Sequence, residues 1–154
     1  ADPGISDAIT WQVAQQGLDP KHMILEITES AAITEVGRVL ENLTRLRMKG
    51  FGLSIDDYGT GYSSMQQLTR IPFTELKIDQ SFVMHAARQE SSRLILESSL
   101  EMAKKLKIVS VAEGVETQDD WNLLRQTDCD LAQGFHIARP MPSGELGEWV
   151  RNWG

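Results

Sequence analysis

The strongest constraint on this chain is the regular alternation of short apolar runs with amphipathic stretches. Met23-Ile24-Leu25-Glu26-Ile27 reads as a strand, and so do Phe51 to Ile55, Glu75 to Ile78, Val109 to Ala112 and Asp130 to Gln133. Each is too short for a helix and rich in Val, Ile or Leu. Between them lie segments with helical spacing. The clearest runs from Thr34 to Lys49, where Val36, Val39, Leu40, Leu43 and Leu46 recur three and four apart before Gly50. Further helices are predicted from Pro3-Gly4 to Gly17, Ser64 to Thr69, Ser91 to Leu106, Thr117 to Gln126 and Pro142-Ser143 to Asn152. Asp79 or Ser81 is placed to cap one more helical turn.

A helix followed by five strand–helix alternations implies a parallel sheet with crossover connections. Strands made of Val, Ile and Leu suggest a sheet covered on both faces. Five such units fit an open doubly wound sheet or part of a barrel. A complete eight-unit barrel takes about 250 residues, more than the 154 here.

Composition removes several functional classes. The single cysteine, Cys129, forms no internal disulfide, which points to a reducing cytoplasm. No apolar run reaches the ~20 residues of a membrane span, and no basic-then-apolar leader is evident. A net charge of -7 argues against binding polymeric nucleic acid, whose affinity rests on neutralising phosphates. A small anionic ligand stays open if bound cations supply local positive charge.

The polar residues fall in a recurring place. Glu26 interrupts the first strand, Asp56 and Asp57 end the second, Lys77 sits in the third, Glu113 ends the fourth and Gln133 follows the fifth. In a parallel α/β architecture the C-terminal strand ends share one rim, where ligands bind. Several buried carboxylates around one ammonium repel one another, and divalent cations resolve the conflict. Hard oxygen donors without clustered Cys or His point to Mg²⁺ or Mn²⁺. Taken singly, each residue has a plainer reading. Glu26 could be a salt-bridge partner, Asp57 a loop cap and Lys77 a snorkelling side chain. Agreement across five strand ends favours a site. Glu29 and Glu116 each lie three residues beyond a rim acid and read as caps or loop braces. Trp11, Trp121, Trp149 and Trp153 read as packing residues.

In order and combination these motifs resemble the EAL-domain phosphodiesterases that hydrolyse cyclic di-GMP in bacteria. The residues that carry the resemblance are Leu25-Glu26-Ile27-Thr28-Glu29-Ser30, Asp56-Asp57-Tyr58-Gly59-Thr60-Gly61-Tyr62-Ser63-Ser64, Leu76-Lys77-Ile78-Asp79, Ala112-Glu113-Gly114-Val115-Glu116-Thr117, Gln133-Gly134-Phe135 and Arg139-Pro140. Tyr58 stands where Phe is common. The resemblance implies a modified (β/α)₈ barrel of the TIM type with two Mg²⁺ or Mn²⁺ ions at its rim. It implies metal ligation by Glu26, Asp56, Asp57 and Glu113, with Lys77 on the attacking water, Glu113 as general base and Gln133 in the metal–water network. It further implies that Glu29 braces the loop containing Gly59, Thr60 and Gly61, that Asp79 and Glu116 support the site, and that Gln133, Arg139 and Pro140 meet substrate. A homodimer is implied as well.

The Glu-Ala-Leu tripeptide and the family's Asn-containing strand do not occur in these residues. The expectation is therefore that residues 1–154 are the C-terminal five βα units of such a barrel, with about three strands upstream. Two other readings remain: a cyclic di-GMP receptor that does not cleave its ligand, and a different metal-dependent barrel enzyme that abstracts a proton beside a carboxylate.

Overall fold

The computed structural model describes residues 4–34, 36–60 and 69–153. Helix α1 spans Ile5–Gln15 and is followed by a 3₁₀ turn at Pro20–His22. Then come β1 (Ile24–Thr28), α2 (Glu29–Thr34), α3 (Val36–Met48), β2 (Gly52–Tyr58) and β3 (Glu75–Ile78). The remainder is α4 (Gln80–Ala86), α5 (Glu90–Leu106), β4 (Val109–Ala112), α6 (Gln118–Leu124), β5 (Leu131–Ala132) and α7 (Ser143–Asn152). The five strands pair in parallel, in chain order β1-β2-β3-β4-β5. The helix expected at Ser64–Thr69 lies almost wholly outside the described residues.

Register fixes which side chains share a face. Leu25 pairs with Leu53, Ile27 with Ile55, Ile55 with Leu76, and Ile78 with Ala112. This face is the core. Leu53, Ile55, Leu76 and Ile78 are each at most 1% exposed, and burying such a side chain stabilises by about 1.5–3 kcal/mol. Val83 of α4, Leu96, Leu100 and Ala103 of α5, and Leu124 of α6 pack on the β2–β4 part. Val13 of α1 with Leu43 and Leu46 of α3 packs around Phe51 and Leu53.

The other face is polar. Glu26 pairs with Ser54, Ser54 with Glu75, and Lys77 with Val111, and strand alternation adds Asp56 to the same side. This face is not covered throughout, contrary to the sequence expectation. Ile24, Val109 and Leu131 share it by register and are 50%, 39% and 53% exposed. Apolar content alone did not distinguish a wall facing helices from one facing the polar side.

Three local readings change. The predicted Thr34–Lys49 helix is present as α3 (Val36–Met48), and ahead of it stands a helix the sequence did not announce, α2, which begins directly at Glu29. Strand β2 continues past Ile55 through both aspartates to Tyr58 because its register against β3 slips by a bulge. Asp57, with φ 56°, takes the left-handed turn of that irregularity. Trp11 is 65% exposed rather than packed, whereas Trp153, 49% exposed, keeps its ring 4.9 Å from that of Trp149. The reason is visible in their elements: α1 buries only Ser6 and Val13, and α7 buries no residue. No helix among the described residues is long and apolar enough to cross a membrane.

Helix α6 starts from a reciprocal cap. The Thr117 hydroxyl accepts from the Asp120 N–H at 3.1 Å, and the Asp120 carboxylate accepts from the Thr117 N–H at 3.0 Å. Thr117→Ala is expected to lower stability by about 1 kcal/mol, read from the urea midpoint at unchanged slope.

Candidate active site

Lys77 occupies the middle of the site because β3 is buried along its whole length. Its side chain is 9% exposed, so its charge needs partners close by. Three strands supply them. Lys77 Nζ lies 3.0 Å from Glu26 Oε1, 3.1 Å from Asp56 Oδ1 and 2.8 Å from Glu113 Oε1. Burial alone would pull the Lys77 ammonium down, but the carboxylates of Glu113, Glu26 and Asp56 overcome it and hold the group above its ordinary value. Glu26 is central in β1 rather than at its end; its side chain stays half exposed and leans to the shared lysine.

Glu113 is aimed by backbone pairing just beyond β4, where its N–H donates to the Ile78 carbonyl at 3.1 Å. Burial pushes its carboxyl up; Lys77 opposes this, and the charges of Asp56 and Glu26 add to the rise. Asp57 is also raised, first by burial and then by Asp56 and Asp79, against the pull of Lys77. The bulge turns Asp57 back toward its neighbours, so that one oxygen each from Asp56, Asp57 and Glu113 lies within 4.8 Å of the others.

Formally, Glu26, Asp56, Asp57 and Glu113 bring four negative charges to one ammonium. One oxygen marks where a cation fits. Asp56 Oδ1 is buried yet has no hydrogen-bond partner among the described residues; its 3.1 Å contact to Lys77 is an ion contact off the hydrogen-bond direction. A buried carboxylate oxygen that touches the Lys77 ammonium but accepts no hydrogen bond among the described residues, beside two further carboxylates, suits a hard divalent cation. Glu26, Asp56, Asp57 and Glu113 are the residues that could hold one.

The supporting residues divide into two groups. Gln133 follows β5; its N–H donates to the Ala112 carbonyl at 2.9 Å, and its carbonyl accepts from the Val115 N–H at 3.0 Å. Asp57, Asp79, Gln80, Glu113, Glu116, Gln133 and Phe135 line one cavity of about 310 Å³ with Gly114 and Gly134. Glu29 is buried, and its Oε2 accepts from the Gly59 N–H at 3.1 Å, tying α2 to the loop after β2. The Thr60 hydroxyl donates to the Asp57 carbonyl at 2.8 Å, and Asp79 caps α4 by accepting from the Ser81 N–H at 3.0 Å. Gly61 lies outside the described residues. Arg139 and Pro140 are exposed and do not line the cavity; Arg139 instead places its guanidinium 4.7 Å from the Phe135 ring centroid.

Two glycines let these segments meet. A Cβ at Gly134 would stand 2.2 Å from the Val115 carbonyl oxygen. One at Gly114, where φ is 70°, would stand 2.3 Å from Gln80 Cβ. Sequence reasoning missed Gln80, and no local pattern could have found it; only the fold brings it over Gly114.

Residues 1–140 match the family model of the EAL domain. The chain belongs to the EAL domain family. Among its relatives is the Pseudomonas aeruginosa protein named bifunctional diguanylate cyclase/cyclic di-GMP phosphodiesterase MucR. It is 39% identical over 146 residues, which is 95% of this chain and 21% of that protein. The cyclic di-GMP phosphodiesterase RocR of the same organism is 38% identical over 138 residues, 90% of this chain and 35% of that protein. The chain thus spans about a fifth to a third of these relatives' length. The structure of the MucR phosphodiesterase in complex with c-di-GMP superposes with a TM-score of 0.90 at 39% identity, covering 95% of this chain and 59% of that one. A manganese/c-di-GMP complex of Klebsiella pneumoniae BlrP1 gives a TM-score of 0.81 at 35% identity, covering 87% of this chain and 35% of that one. The five-stranded sheet is accordingly part of the TIM-like barrel of EAL domains.

Two outcomes follow for this EAL domain. Lys77→Met removes the only ammonium of the cluster and should destabilise the cation-free protein by about 3 kcal/mol, the half-exposed Glu26 keeping the loss at the low end. Added Mg²⁺ should recover part of it, seen as a larger rise in Tm than in the parent. Because Glu113 and Asp57 titrate above ordinary carboxylates, a cation must displace protons from them as pH falls through their raised values. Mg²⁺ affinity is therefore expected to fall with pH in that window, with proton release measured by calorimetry in buffers of different ionisation enthalpy.

Proposed function

We propose that this domain hydrolyses cyclic di-GMP, cleaving one phosphodiester to give linear pGpG with two Mg²⁺ or Mn²⁺ ions at the rim. The observation that carries the reading is the convergence of Glu26, Asp56 and Glu113 on Lys77 Nζ within 3.1 Å. The manganese and c-di-GMP complexes of similar proteins support the choice of ion and ligand.

Glu26, Asp56, Asp57 and Glu113 would hold the ions, and Gln133 would steady water around them. Bound there, divalent cations supply Lewis-acid polarisation of a phosphate oxygen and acidify water. The chain's own groups do the rest. The Lys77 ammonium, fixed by three carboxylates, orients a water for attack in line with the bond to be broken. Glu113, raised by burial and like charge, takes the proton from that water. The new bond joins the water oxygen to phosphorus, the bond from phosphorus to the ribose 3′-oxygen breaks, and the leaving oxygen picks up a proton. Glu29, through Gly59, holds the loop after β2 against the site. Arg139 and Pro140 are proposed to meet substrate outside the carboxylate cavity.

The same reading places the domain in the cytoplasm and in a homodimer, which light scattering of the full-length protein checks. Among the described residues the outer edge of β1 has no partner strand, and this edge with the exposed Ile24, Val109 and Leu131 on the polar face supports further strands completing the barrel.

Glu113→Ala or Asp56→Asn in the full-length protein should reduce cyclic di-GMP turnover by about 10²–10⁴-fold with Mg²⁺. Near-parental turnover in either variant rejects the assignment. Ca²⁺, larger and looser in geometry, should support binding without comparable cleavage. A parent that binds cyclic di-GMP with Ca²⁺ and never releases pGpG with Mg²⁺ is a receptor instead.

A further inference from the structure

We propose that an apolar cavity on the helix side of the sheet binds a compact, uncharged, hydrocarbon-like molecule and thereby strengthens cation binding on the other side. The cavity lies between strands β2 and β3 and the C-terminal half of α5. Binding there is independent of the phosphodiesterase reading; the coupling rests on the cation site that reading uses.

The cavity measures about 200 Å³, and its walls include Ile55, Ile71, Phe73, Leu76, Met102 and Ile108. Ile55, Ile71, Leu76 and Met102 are each buried, so it reaches into the core. Close-packed interiors hold few voids larger than a water molecule. Water suits this one poorly, because a buried water needs two to four polar partners. The backbone groups nearby are already engaged: the Phe73 N–H donates to the Ile71 carbonyl at 2.8 Å, and the Ile108 N–H to the Ala103 carbonyl at 3.1 Å. The buried side-chain oxygens that lack a hydrogen bond among the described residues, on Ser6, Ser54 and Asp56, do not line it. No charged side chain lines it among the described residues, which excludes an ionic guest. An apolar cavity of about 150 Å³ lined by Leu, Ile and Phe stays dry and takes up benzene or xenon. The guest that fits here is therefore a single aromatic ring or a short branched alkane.

Three wall residues reach the carboxylate cluster through short covalent or hydrogen-bonded links. Ile55 directly precedes Asp56, and Leu76 directly precedes Lys77. Successive strand residues point to opposite faces, so one stretch of backbone carries the wall on one side and the cluster on the other. Met102 accepts the Tyr58 hydroxyl at 3.5 Å on its Sδ, and Tyr58 follows Asp57 at the bulge. A guest touching Ile55, Leu76 and Met102 occupies the space into which these side chains could relax. It thereby holds both strand segments in the arrangement that brings Asp56, Asp57 and Lys77 together. A cation on Asp56 and Asp57 restrains the same backbone from the other face, and linkage makes the effect mutual.

The test uses toluene and xenon as probes on the full-length protein. Calorimetry should show saturable one-to-one binding of toluene, with a matching rise in Tm. Crystals pressurised with xenon should show the atom among Ile55, Leu76, Met102 and Ile108. Ile108→Phe, which puts a ring into the cavity, should abolish toluene binding; Ile71→Phe is the second blocking variant should the first fail to fold. Saturating toluene should lower the Mg²⁺ dissociation constant about fivefold, and saturating Mg²⁺ should lower that of toluene by the same factor. No saturable toluene binding, xenon lodged elsewhere, or toluene binding undiminished in a folded blocking variant overturns the site. Toluene binding that leaves Mg²⁺ affinity unchanged or weakens it overturns the coupling. A parent that binds toluene and Mg²⁺ in this linked way but does not cleave cyclic di-GMP supports the cavity and rejects the phosphodiesterase reading alone.

Discussion

One buried ammonium organises this domain's functional end. Lys77 is 9% exposed on its side chain and has carboxylates from β1, β2 and the end of β4 within 3.1 Å. None of those acids is its neighbour in sequence. Their meeting depends on parallel pairing in chain order, which puts consecutive strands side by side with one C-terminal rim. A buried charge without such partners would be costly. The polar cluster and the strand order thus require each other: a register slip of one residue in β3 would send Lys77 into the apolar core and Leu76 or Ile78 into the carboxylates.

The two sides of the sheet divide the work. Leu53, Ile55, Leu76 and Ile78 anchor the strands against the helices. The opposite face carries the acids, and rigid anchoring on one side is what allows repulsive groups to be held together on the other. Close approach then completes the rim. Gly114 admits Gln80, and Gly134 admits the Val115 backbone, so the segments after β4 and β5 cross near Glu113 and Gln133. Glu29 ties the start of α2 to the loop after β2. These contacts position; the carboxylates and the lysine are the groups that can act.

Much of this was legible beforehand because its signals are local. Strands β3 and β4 matched their sequence boundaries, since each is a short apolar run closed by a polar residue. The rim acids stood out because carboxylates gain nothing from packing beside Leu, Ile and Val. The misreadings came where neighbours decide. The bulge that carries β2 through Asp56 and Asp57 arises from pairing with β3, and α2 begins without a loop because Glu29 has a buried place to go. Trp11 looked like a packing residue by type and stands exposed, because α1 buries little. Gln80 had no pattern at all; its place in the cavity comes from the fold, which brings it over Gly114.

The sequence by itself determined the alternating elements, the parallel sheet and the identity of the rim acids, because period and residue type act over a few neighbours. Only the tertiary structure decided which face those acids share, how close they come to Lys77 and which carboxylate oxygen lacks a hydrogen bond among the described residues. Distances of about 3 Å between groups about 20 to 50 residues apart are set by register, bulges and glycine approaches, and no short stretch of sequence contains them.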